Sequence, residues 1–353
     1  MDFSFSEDQM LLQQTVRDFL EGECTVEHVR SMWDTDTARS PEFWGKLAEI
    51  GIPGLLVSED HGGLGMSEVD MVLVLEETGR AGTAEPVIHT ACVAAQLLQE
   101  SGNDAVAKEW LPKIAEGSAI VAVQHDQSPF VSDAHVADLL ILNSGDAVHA
   151  VPRADVQLTE QANNDPAKRL SSVEWTPRAG TLLADGDAAR ALQAAAFDRG
   201  VFAAAAQLLG VCQQLSEMTV LYATQRKQFG VPIGSFQAVK HMLAEEKVQT
   251  EYGRSHVYRA AHSVANAAPS RAVDVSMAKR AMAENAVSLA KTALQVHGAL
   301  GYTWEQDLHV WMRRAWSLDT AWGNTAFHRA RVSAAVIDGA FPAIPFGYEV
   351  PAA

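Results

Sequence analysis

Apolar positions along the chain fall into three textures. From the N-terminus to about residue 115 they recur at three- and four-residue spacing, as in Asp8 to Leu20 and Val69 to Arg80. That period predicts amphipathic helices, and Ser6 stands where the first of them needs an N-cap. From Ala119 to Leu183 the runs shorten to Ala119–Val123, Leu139–Leu142 and Ala147–Val151, separated by Gly, Pro, Asn and Asp, and they read as strands. Alanine-rich helical periodicity resumes after Asp187 and continues to about Ile337, ahead of a Pro-containing stretch from Phe341 to Ala353. The expected fold class is mainly α with a small β domain. Its parts are an N-terminal helical domain over 1–115, a β domain over 116–187, a C-terminal helical bundle over 188–340 and a Pro-rich tail over 341–353.

Composition narrows the partners. With 353 residues, 48% of them apolar and 20% charged, the chain can bury a large core in two or three domains. A net charge of -17 argues against nucleic acid, since phosphate binding would have to overcome long-range repulsion. The most apolar stretch, Ala191 to Val211, is interrupted by Asp198 and Arg199, so no membrane span is expected. Met1–Ser4 is acidic and shows no secretory leader, which makes the cytoplasm the simplest compartment. Cys24, Cys92 and Cys212 lie far apart and lack metal-ligand spacing, and no metal site is expected.

Two segments carry candidate chemistry. In Arg226-Lys-Gln-Phe-Gly-Val-Pro-Ile-Gly-Ser-Phe-Gln237, Gly230, Pro232 and Gly234 break one helix, and Ala238, Met242 and Glu245 set the period of the next. Arg226 at that break offers a planar fork of donors suited to a pyrophosphate. In Gln295-Val-His-Gly-Ala-Leu-Gly-Tyr302 a helix also ends, and Gly298 and Gly301 let backbone approach a ligand closely. Together they suggest an anion clamp beside a backbone platform.

These segments resemble the acyl-CoA dehydrogenase family, flavoenzymes that introduce an α,β double bond into acyl-CoA thioesters. The family pattern R-x-x-F-G with a following glutamine is met by Arg226, Phe229, Gly230 and Gln237, and Q-x-x-G-G-x-G-(Y/F) by Gln295 to Tyr302 with Ala299 in place of the second glycine. Phe5–Met10, Phe43–Gly51 and Pro53–Ala81 are similar to the family's N-terminal part. The resemblance implies that Arg226, Gln228, Phe229, Ile233, Phe236, Gln237, Gln295, Gly298 and Ala299 contact the pyrophosphate and adenosine half of an FAD whose ring belongs to a neighbouring chain.

The departures from the family are as informative. The ring-holding T-E-P-x-x-G-S-D and W-I-(T/S)-N segments have no counterpart in the short β region, where Gln124–Asp133 stands instead. Aligning the family's Y-E-G-T motif from Met312 onward puts Trp322 at the catalytic glutamate, followed by Gly323 and Asn324. The alternative seat for that base, found in some members on the helix entering the bundle, falls on Gly200, with Val201 at a CoA-binding arginine. No catalytic residue is therefore assigned. Loss of a general base costs roughly 10²- to 10⁴-fold. Gly301–His309 with Arg313-Arg314-Ala315 is similar to the smaller subunit of bacterial α2β2 acyl-CoA dehydrogenases of steroid side-chain degradation. What this implies is a helper subunit whose partner is a longer catalytic homologue holding the acyl-CoA, with electron-transfer flavoprotein as the complex's acceptor. Two other readings stay open: a self-sufficient homotetramer with an atypical base, Asp319 or Glu217, and a scaffold without enzymatic role. Trp304, Trp311, Trp316 and Trp322 are expected in core or interface packing, Trp322 as a plug of the acyl pocket in the sharper version. His241, His297 and His309 are expected as hydrogen-bonded residues of helix ends.

Overall fold

The computed structural model describes residues 4–339. The tail expected over 341–353 lies outside the described residues. Helix α1 (Glu7–Glu23) begins on the cap its sequence offers, Ser6 Oγ accepting from Gln9 N while Gln9 Oε1 accepts from Ser6 N. Losing such a cap typically costs about 0.5–2 kcal/mol. Then come α2 (Val26–Met32), α3 (Pro41–Glu49) and α4 (Glu68–Ala81), a fully buried π-helical segment Val87–Ala94, and α5 (Ala95–Glu100) and α6 (Asp104–Ala115). The sequence pattern gave no hint of the π-helical geometry.

The strands are β1 (Val121–Val123), β2 (Val131–Ser132), β3 (Leu139–Ser144), β4 (Ala147–Pro152), β5 (Gln157–Gln161), β6 (Leu170–Glu174) and β7 (Leu182–Asp185). One sheet has the order β1-β3-β4-β7, parallel only between β1 and β3, and the other the antiparallel order β2-β6-β5. The run from Ala119 is shorter as a strand than its composition predicts. Asp138 explains this by accepting from Ile120 N through its carboxylate and donating its own N–H to Ile120 O, which holds the entry as a loop. Along β3, Leu139 and Ile141 face the large helical core while Leu140 and Leu142 face a separate core between the sheets, with Ala122, Val131 and Val151. A strand buried on both faces reads as an unbroken apolar run.

Helix α7 (Gly186–Gln225) follows, then a hairpin of β8 (Lys227–Gln228) and β9 (Val231–Pro232), and α8 (Gln237–Ala265), α9 (Arg271–His297), α10 (Leu308–Thr320) and α11 (Thr325–Ile337). Helix α7 is the axle of the molecule, packed on α4, α8 and α9. By length and composition alone it is apolar enough to cross a membrane, yet 94% of its most apolar window is buried inside this protein. It is a core helix. Its contact with α4 is backbone to backbone: a Cβ at Gly210 would fall 1.8 Å from Glu76 O, and one at Gly79 2.0 Å from Gln207 O. The charges that interrupt its apolar run are paired, Arg199 with Glu68 and Glu100, and Asp198 with Arg271 and Arg331.

Candidate functional site

The two segments singled out in the sequence meet at one end of the bundle. Tyr222, one turn before the end of α7, stacks on His297 at the end of α9, with ring centroids 4.3 Å apart and planes 23° from parallel, and its hydroxyl donates to His297 O at 3.3 Å. Beyond Tyr222, Arg226 N donates to Tyr222 O and Ile233 N to Arg226 O, which closes the β8–β9 hairpin. Its two turn residues, Phe229 (φ 53°) and Gly230 (φ 84°), are both left-handed, as a two-residue hairpin turn requires. Phe229 is 93% exposed and meets Phe236 edge-on at 6.2 Å. A bulky residue at positive φ is strained, and strain of this kind collects at binding sites. Gly298 ends α9 at φ 59° and ψ -141°, a conformation reserved for glycine, and it leads into the short turn Gly298–Tyr302.

Arg226, Gln228, Phe229, Phe236, Gln237, Gln295, Gly298 and Ala299 are all exposed, and Ile233 is half-buried. The side chains of Arg226, Gln228, Gln237 and Gln295 form no hydrogen bond or ion pair among the described residues. A planar cation, amides, an aromatic pair and open backbone are thus presented outward on one surface.

The region around Trp322 is the reverse. Trp322 and Gly200 come together, and a Cβ at Gly200 would lie 2.2 Å from Trp322 Cδ2. The indole fills the space a side chain at 200 needs. Trp322 is 1% exposed and held at φ 57°. His125 stacks on it at 4.3 Å, His89 lies at 5.2 Å and Phe197 at 6.2 Å. Its carbonyl accepts from His328 Nε2 at 2.9 Å, and Lys279 Nζ donates to Asp319 O at 2.9 Å and Gly323 O at 3.1 Å. Burial lowers His89 and His328 to about 4, His125 to about 3 and Lys279 to about 7, so the imidazoles around the indole are neutral at pH 7. The His125–Trp322 stack borders two small cavities, about 280 Å³ toward Phe197, Phe327 and Arg331, and about 300 Å³ toward Lys168 and α10.

The carboxylates weighed as atypical bases stand elsewhere. Glu217 pairs with Arg80 on the surface near α1, and Asp319 Oδ1 accepts from Thr325 Oγ1. Neither lines the two cavities. Trp304 lies outside the core, 59% exposed on a loop that crosses α2 with Trp33 edge-on at 6.4 Å, so of the core and interface roles expected only the second remains for it. The histidine expectation needs correction. His309 is not hydrogen-bonded among the described residues: both ring nitrogens lack partners there, and the ring is wedged between Trp33 and Trp304. His297 does meet expectation, through Nδ1 and Ala293 O at 2.8 Å. The cluster of His89, His125, Lys279 and His328 escaped sequence reasoning, since it gathers from four distant elements and has no shared spacing.

Gly200 lies in the first half of α7 and Gln225 ends it, and a helical rise of about 1.5 Å per residue puts roughly 38 Å between them. The outward-facing segments and the filled crevice are therefore separate places on one chain.

Comparison with known proteins identifies the fold's lineage. The family profile described as acyl-CoA dehydrogenase, N-terminal domain, matches residues 6–118, and that described as acyl-CoA dehydrogenase, C-terminal domain, matches residues 189–337. The acyl-CoA dehydrogenase IpdE2 of Mycolicibacterium smegmatis is 30% identical over 311 residues, covering 88% of this chain and 93% of its own. Among solved structures, the ChsE4–ChsE5 complex from Mycobacterium tuberculosis contains a chain 26% identical, with a TM-score of 0.87 over 96% of this chain and 99% of that one. A variant of the Tcur3481–Tcur3483 steroid ACAD shares the fold at 22% identity, with a TM-score of 0.85 over 95% and 99% of the two chains. Two matched domains, a relative aligned over nearly its whole length and a shared mainly helical architecture agree: this chain belongs to the acyl-CoA dehydrogenase family.

Proposed function

We propose that this chain is a subunit of an FAD-dependent acyl-CoA dehydrogenase that completes the flavin site of a longer catalytic homologue and supplies no base of its own. The observation that carries this reading is the separation of the two half-sites along α7, which is more than an extended flavin dinucleotide reaches. Segments 226–237 and 295–301 then serve a flavin whose ring sits in another chain. The ChsE4–ChsE5 relative is itself a complex of two named proteins, which supports a heteromeric partner.

The two ends of the flavin fare differently against these residues. Arg226, without a protein partner among the described residues and followed by Lys227, suits a pyrophosphate in a chain otherwise strongly acidic. Gly298 and Ala299 offer exposed backbone beside it, Gln228, Gln237 and Gln295 offer amides, and Ile233, Phe229 and Phe236 offer apolar contact for the adenosine. The ring end does not fit: the His125–Trp322 stack interrupts the crevice, and a carboxylate at position 200 would collide with the indole. When bound in the complex the flavin supplies the hydride acceptor. This chain contributes charge, orientation and exclusion of water at the dinucleotide tail, and the proton acceptor comes from the partner.

The steroid side-chain class of acyl group rests on the resemblance of Gly301–His309 with Arg313-Arg314-Ala315 to the smaller subunit of such enzymes. A cytoplasmic location and electron-transfer flavoprotein as acceptor follow from the family reading. Purifying the chain with and without a co-expressed catalytic homologue and recording absorbance spectra tests the proposal. Flavin bound only by the pair is the expected result, and a yellow single chain that dehydrogenates an acyl-CoA thioester unaided overturns it. Should Arg226→Ala leave flavin content and turnover of the pair unchanged, the scaffold reading replaces it.

A further inference from the structure

The cavity of about 300 Å³ bordered by β2, the β5–β6 loop, the π-helical segment and α10 has one ionic end. Ile88, Val123, Phe130, Leu170 and Trp322 form its apolar side, and Ser128, Ser132, Asn163, Ser317 and Thr320 line the rest. At the ionic end Lys168 is only 8% exposed, yet its Nζ makes no hydrogen bond or ion pair among the described residues. The carboxylates that act on it are engaged elsewhere. Asp133 pairs with Arg39, Asp165 pairs with Arg314 at 2.7 Å, and Glu85 receives Ser40 N and is raised to about 7 by burial. Beside Lys168 in the same wall, His89 is 6% exposed; it donates to the Val123 carbonyl, and its Nδ1 has no partner among the described residues.

Buried charged groups are normally paired, because an ammonium withdrawn from water without a counterion is costly. The buried ammonium points to an external acceptor, while the neutral His89, whose single N–H is spent on the Val123 carbonyl, adds no donor. The cavity's size is at the lower limit of small-molecule sites, too small for a nucleotide. Its single ammonium matches the one charge of a carboxylate and leaves the second charge of a phosphate dianion without a counterion.

We propose that this cavity binds a small organic carboxylate, with the carboxylate on Lys168 and the apolar body against Phe130, Leu170 and Trp322. The site is independent of the flavin segments at the far end of α7, so the full chain alone suffices to test it. Isothermal titration calorimetry with butyrate, benzoate, butyramide and inorganic phosphate should show binding of the two carboxylates only. Lys168→Met should weaken both by roughly 10- to 100-fold, the loss expected for one charge-assisted hydrogen bond. Leu170→Trp keeps the ammonium and narrows the apolar wall, and should weaken benzoate more than butyrate. Equal binding of butyrate and butyramide, binding of phosphate in preference, or no heat from either carboxylate overturns the proposal. If Lys168→Met fails to fold, the wild-type comparison of butyrate with its neutral amide decides.

Discussion

The hairpin after α7 and the crevice around Gly200 belong to the same helix and have had opposite fates. At the hairpin, side chains with strong binding chemistry are left in water, and a phenylalanine is held at positive φ with 93% of its surface exposed. At the crevice, a space that family resemblance assigns to a base is packed with an indole, stacked imidazoles and a buried lysine. Packing alone explains the second region and not the first. Residues kept exposed, strained and unpaired are explained by something outside the chain, whereas residues kept buried and stacked are explained by the fold.

Substitutions can break this contrast from either side. The largest effect is expected for Trp322→Ala, which opens a void among His125, His89 and Phe197 and should cost about 3–5 kcal/mol in urea unfolding without creating dehydrogenation. A loss of less than about 1 kcal/mol would mean that the crevice is loosely filled, contrary to the packing of protein cores. Next, Arg226→Ala should leave the fold intact and weaken flavin retention by the complex roughly 10- to 100-fold, measured by flavin titration of the apo pair. Gly200→Ala should destabilise by about 1–3 kcal/mol through overpacking against the indole, while Gly200→Ala combined with Trp322→Ala should cost less than the two losses added.

The mildest effect at pH 7 is expected for His125, and it shows only as a pH dependence. His125 and His89 have folded values of about 3 and 4, depressed by burial from 6.5, so the unfolded state takes up protons first as pH falls. Stability is therefore full above pH 6.5 and declines between about 6.5 and 4. Each such histidine contributes a slope of about 1.4 kcal/mol per pH unit. His125→Phe keeps an aromatic ring on Trp322, and urea midpoints at pH 7, 6 and 5 should fall less steeply for it than for the wild type.

Much of the fold was legible because it rests on local signals. Ser6 with Gln9 announces α1, the alanine-rich period announces α7 to α9, and apolar runs announce β3 and β4. The contact of Trp322 with Gly200 was half legible: the sequence shows that neither position holds a carboxylate, but not that they share one volume, since 122 positions separate them. His125 and Lys279 were invisible as parts of that cluster, because stacking and carbonyl capping leave no periodic trace. The wedging of His309 between two tryptophans was missed for a related reason. Spacing predicts which residues share a helix face, and says nothing of which other element settles on it.

The shared volume of positions 200 and 322 also couples what each can become. With the indole in place only a residue without a side chain fits at 200. Installing a carboxylate there therefore requires removing the tryptophan first.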